Sequence, residues 1–140
     1  MWSGFGYALV LVAGFIVLCW AMFGDRSSFQ RGLSHHPELP QAASNITVFE
    51  NKNFTGAFVA EFQIAEKDFV AFATEQHWGL RPVSEPTYVF QPYAFQTGHP
   101  NDKKEILDGL YYSMRSADGS GVTVGYDRKQ GRAYIEKSAR

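Results

Sequence analysis

An uncharged run is the strongest constraint in this chain. Residues Phe5 to Phe23, FGYALVLVAGFIVLCWAMF, are nineteen residues without Asp, Glu, Lys or Arg. A helix rising about 1.5 Å per residue would carry them roughly 28 Å, against a bilayer core of about 30 Å. Trp2 and Trp20 stand near the two ends, where indole rings favour the boundary between headgroups and acyl chains. Gly24, Asp25 and Arg26 end the run. A cleavable signal peptide begins with basic residues and carries a shorter apolar stretch. Here no Lys or Arg precedes Asp25. The expectation is one uncleaved transmembrane helix over residues 1–24 and a single-pass membrane protein. Gly4, Gly6, Ala8 and Gly14 are the small residues at which another helix is expected to pack closely.

The rest of the chain has a different character. From Asp25 to Ser44 it reads DRSSFQRGLSHHPELPQAAS, with Pro37 and Pro40 forbidding a continuous helix. Residues 25–44 are read as a semi-extended spacer rich in Pro, Ser and Gln. Residues 45–140 are read as one globular domain, long enough to form a core without a metal or a disulfide. An anchor, a spacer and a cysteine-free domain fit the extracytoplasmic, periplasmic side. Arg26 and Arg31 lean the other way under the positive-inside rule.

Composition narrows the class. Hydrophobic residues are 45% and aromatics 16%, which excludes a disordered chain. Thirteen basic against fourteen acidic residues give a formal net charge of −1, so a nucleic-acid partner is not expected. The single cysteine excludes an internal disulfide framework and a cysteine-based zinc site.

Periodicity organises the domain. Phe58, Ala60, Phe62 and Ile64 alternate with Val59, Glu61 and Gln63, a period of two that predicts a half-buried strand. From Ala65 to His77 the period changes, with Phe69, Phe72 and Ala73 at i, i+3 and i+4 and acidic Glu66 and Asp68 in the first turn. That predicts a helix. Asn45–Glu50, Thr87–Gln91, Val122–Tyr126 and Arg132–Glu136 are predicted strands, with another within Ile106–Arg115 and turns at Asp118–Gly121 and Asp127–Gly131. The expected class is α+β: an antiparallel sheet of five to six strands, ending in a three-strand meander and packed by one helix.

Residues with chemical potential are scattered. His35 and His36 adjoin Glu38, but a Pro-flanked segment does not present three or four converging metal ligands. His77 ends the predicted helix beside Trp78, where the dipole favours an imidazolium. His99 lies in a long loop. No nucleophile elbow and no phosphate loop is present. No catalytic, cofactor-binding or metal-binding residue is therefore assigned, and no cofactor. Tyr111, Tyr112, Tyr126 and Tyr134 fall in the meander and are read as a candidate partner surface, since tyrosine offers large area with a polar end.

These features predict a non-catalytic accessory or scaffold subunit of a larger membrane complex. Its expected partners are integral membrane protein subunits and the lipid bilayer. A membrane-tethered domain binding a small ligand or peptide is the alternative. An enzyme using His77 or His99 as acid–base residue is the third reading.

Overall fold

The computed structural model of this chain describes residues 10–19, 24, 26–53 and 56–139. A first helix, α1, covers residues 10–19. Strands β1 (Ser27–Leu33), β2 (Ser44–Asn51) and β3 (Ala57–Gln63) follow, then helix α2 (Glu66–Glu75). Next come β4 (Arg81–Pro82), β5 (Thr87–Val89), the short helix α3 (Pro92–Gln96) and β6 (Lys104–Ile106). The chain closes with β7 (Gly109–Arg115), β8 (Gly121–Asp127) and β9 (Arg132–Ser138). Seven strands form one antiparallel sheet in the order β1-β2-β3-β9-β8-β7-β4, and β5 pairs with β6 in a separate ribbon.

This corrects the expected class. The protein is mostly β, with three short helices among the described residues, rather than an α+β domain of five to six strands under one helix. The physical reason is that both faces of the sheet are covered. Toward α2 point Ile46, Phe58, Phe62, Val124, Tyr126 and Ile135, which pack with Phe69 and Phe72. The intervening residues point the other way: Tyr134 packs with Val89 of β5 and Ile106 of β6, and Phe49 packs on Phe95 of α3. Segments 92–96 and 104–106 are too short to show a period of their own, while 87–89 lies within the strand expected over Thr87–Gln91. Their side chains nonetheless close the second face.

The transmembrane reading is also corrected. No helix among the described residues is long and apolar enough to cross a membrane. A single-pass anchor and the localisation drawn from it are therefore not supported. Trp2, Trp20, Gly4, Gly6 and Ala8 lie outside the described residues, and Gly14 sits within α1.

Residues 25–44 are not a simple spacer. They contain β1, which pairs antiparallel with β2 through Phe29↔Phe49 and Leu33↔Ile46. The two turns that follow are closed by Leu39 N–H to His36 O at 3.1 Å and Ala43 N–H to Pro40 O at 2.9 Å. They bury Leu39 and Ala43 in the core beneath α2. As an edge strand, β1 exposes most of its side chains, so a polar run such as SSFQRGL gives no alternation to read.

The helix is held at its first turn and at its middle. Glu66 in its first turn accepts hydrogen bonds from Arg128 at 2.8 Å, and Arg128 also binds Asp108 at 2.9 Å. That contact holds the Glu66 carboxyl below the usual carboxylate range. In the middle, Phe69 stacks on Tyr126 with ring centroids 5.4 Å apart, and the Tyr126 hydroxyl donates to Ile64 O at 2.9 Å.

Because β1 and the Leu39 turn are part of the sheet and core, a chain beginning at Arg26 should unfold cooperatively in urea. A chain beginning at Ser44 should lose at least about 2 kcal/mol from the exposed Leu39 pocket alone. Equal urea midpoints for the two chains would contradict this assignment.

Candidate functional site

The four meander tyrosines do not form one surface. Tyr126 and Tyr134 are buried, on opposite faces of the sheet. Burial pushes the Tyr134 phenol up to about 12, with Glu61 adding to the shift. Tyr111 and Tyr112 are half-buried, one packed against each cluster. The alternation along β7 separates them, as adjacent strand residues must be.

The histidines divide by backbone role. His77 is exposed and has a φ of 60°, a left-handed conformation unusual for a side chain with a Cβ. Its N–H bonds to Thr74 O at 3.1 Å and the Trp78 N–H bonds to Ala73 O at 2.9 Å. That pair of bonds is the Schellman closure of a helix C-terminus, with His77 where glycine is usual. Trp78 turns back as an edge-on partner of Phe72, with centroids 5.5 Å apart. Gly79 lies two residues beyond the left-handed one. His99 is exposed in the loop after α3, and its backbone bonds to Ala94 O at 2.8 Å. Neither imidazole meets an acid–base partner among the described residues.

His36 is the histidine with a defined environment. Its Nδ1 accepts the Glu38 N–H at 3.2 Å, which places the proton of the neutral ring on Nε2. Nε2 faces Glu50 Oε1 at 3.1 Å, and the ring lies 5.4 Å from Phe58. Both nitrogens are thus engaged, and neither is free to ligate or to take a proton from a substrate. Glu38 and Glu50 belong to the rim of a cleft of about 490 Å³ over Phe58. Lys137 pairs with Glu38 at 3.6 Å and Lys52 with Glu50 at 3.8 Å, so the charges of the rim compensate one another. Among the described residues no group of three or more His, Cys, Asp and Glu is placed to hold a metal ion.

One buried acid escaped the sequence reading. Glu136 in β9 is 5% exposed, and burial raises its carboxyl above the ordinary 4.5, against the opposing pull of Arg115, Ser138 and Lys103. Arg115 Nη2 reaches it at 3.4 Å, at the edge of hydrogen-bond range. Arg115 and Lys103 both lie over the ring of Phe90, at 5.9 and 4.6 Å. In the sequence Glu136 alternates with apolar Ile135 and so reads as solvent-facing. Only the cover over the second face shows otherwise.

Two outcomes follow from these placements. His77→Gly should raise stability by about 1 kcal/mol, because it removes the left-handed Cβ penalty. A loss of stability in thermal unfolding would contradict the capping role. For Glu136, a carboxyl raised in the folded state contributes most when protonated. Its contribution is full below pH 4.5 and falls as pH rises through the higher folded value. Glu136→Gln should therefore be more stable than the parent at pH 7 and closest to it below pH 4.5, in urea midpoints measured across pH. A parent that is the more stable of the two at pH 7 would contradict this.

No protein-family model, no curated protein and no solved structure matches this chain.

Proposed function

We propose that this protein is a non-catalytic accessory subunit, held in a larger assembly by insertion of α1 among the helices of a partner protein. The observation that carries this reading is the exposure of α1. Val10, Leu11, Val12, Phe15, Ile16, Val17 and Leu18 are 55–74% exposed. At about 100° per residue these seven positions go all the way round the helix. A helix apolar on every side belongs in an interior and not on one flat surface. Exposed apolar area of this extent marks an interaction site.

The magnitudes favour docking. Burying seven such side chains is worth on the order of 10–20 kcal/mol at about 1.5–3 kcal/mol each. Association costs of about 4–15 kcal/mol leave a net gain. Gly14 supports close approach, since nothing stands within 4 Å of where its Cβ would be. The sheet domain then serves as a rigid body carried by the inserted helix.

Gentle extraction of the full chain from its source cells should yield a complex much heavier than 15.7 kDa that contains other proteins. Replacing Leu11, Phe15 and Leu18 together by Gln should release the chain, with the amide spectrum of the sheet unchanged. Gly14→Leu should weaken the complex too, although it meets open space in the isolated chain. A native species that is monomeric, or that contains only copies of this chain, would overturn the proposal.

A further inference from the structure

Two strands are distorted at the same place. In β1, Gln30 pairs with Val48 and Leu33 with Ile46, so Arg31 and Gly32 together stand opposite Thr47 alone. In β2, Ser44 pairs with Gln63 and Thr47 with Glu61, so Asn45 and Ile46 stand opposite Phe62 alone. These are adjacent bulges on either side of Thr47. Each contains a left-handed residue, Gly32 with φ 68° and Asn45 with φ 47°. Bulges bend a strand and re-aim its side chains, and they are common beside binding sites. Here they open a cleft of about 390 Å³ lined by Arg31, Gly32, Asn45, Thr47, Glu61 and Arg132.

The charge of this cleft is unbalanced. Arg132 Nη2 lies 3.3 Å from Glu61 Oε1, with side chains 16% and 21% exposed. Arg31 makes no ion pair among the described residues. The lining thus carries two guanidinium groups and one carboxylate. Thr47 is buried and lines the cleft. The Asn45 amide adds a further polar group. This differs from the cleft over Phe58, where every rim charge has a partner.

We propose that the cleft binds a singly charged carboxylate, held by Arg31 and Arg132. A guanidinium offers two parallel N–H groups that match the two oxygens of a carboxylate. The surplus of one positive charge matches one negative charge, and Glu61 repels a second. A dianionic phosphate is therefore the poorer fit. The volume is at the small end for ligand sites, enough for a carboxylate and a few further heavy atoms. A small organic acid and the free C-terminus of a peptide carry the same chemistry. This site does not depend on the insertion of α1.

The test is an NMR titration of the full chain, followed at the amides of Gly32, Asn45 and Thr47. The probes are propionate, an N-acetylated dipeptide with a free carboxylate, the same dipeptide as its C-terminal amide, and inorganic phosphate. Propionate or the free dipeptide should give saturable shifts, the amide none, and phosphate weaker binding than the carboxylates. Saturation by propionate identifies a small acid as sufficient. Saturation by the dipeptide alone identifies a chain terminus, and either result supports the site. Arg31→Gln should weaken binding about tenfold or more, as loss of a charged hydrogen bond does, with the remaining amide spectrum unchanged. Absence of saturable shifts with both carboxylates would overturn the proposal. So would an affinity indifferent to Arg31→Gln, or phosphate binding more tightly than either carboxylate.

Discussion

The bare backbone of Gly125 is the contact on which the second face of this protein depends. A Cβ at that position would stand 2.6 Å from Val89 Cγ1 and 2.8 Å from Ile106 Cδ1. Real carbon atoms do not approach so closely, so the β5–β6 ribbon seats directly on β8 only because no side chain intervenes. Tyr134 on the neighbouring strand fills the space beside it. On the other side of β8 the next residue, Tyr126, stacks on Phe69 and bonds to Ile64 O. The middle of the sheet is therefore gripped from both directions by consecutive residues of one strand.

Covering both faces has consequences for the polar groups caught between the layers. Burial raises the Tyr134 phenol further above its ordinary range. Glu136 is carried at a cost, with Arg115 near enough to reduce that cost but not to remove it. Asp127 is buried for a local reason: its carboxylate accepts the Lys129 N–H at 2.9 Å and shapes the turn into β9. Polar side chains at strand positions thus mark turns and layer contacts here.

The legible parts of the fold were those with enough length to show a period. Phe58, Ala60 and Phe62 alternate through β3, and Phe69, Phe72 and Ala73 trace the buried stripe of α2. Asp118 closes its turn by accepting from the Ser120 N–H at 2.9 Å, the local chemistry that Asp and Gly announce. What escaped was short, polar or long-range. The three-residue β6 and the five-residue α3 carry no period, whereas β5 falls within the strand expected over Thr87–Gln91. Polar β1 is recognised only by its partner β2. The pairing of His36 with Glu50 joins residues fourteen apart, and the bulges that bring Arg31 toward Thr47 are features of register alone. Reading one exposed face led to counting Tyr126 and Tyr134 as surface, and the ribbon and α2 take that surface away.

With both faces closed, the surfaces left for partners are at the margins: the apolar helix α1 and the cleft at the bulged edge of the sheet. The two-sided sheet is the central claim about the fold. The most direct test is a nuclear Overhauser experiment on the methyl groups of Val89 and Ile106. The account predicts strong cross-peaks from both to the Gly125 Hα protons and to the Tyr134 ring. Their absence, with the β8–β9 cross-strand peaks intact, would show a sheet open on that side and would contradict the account.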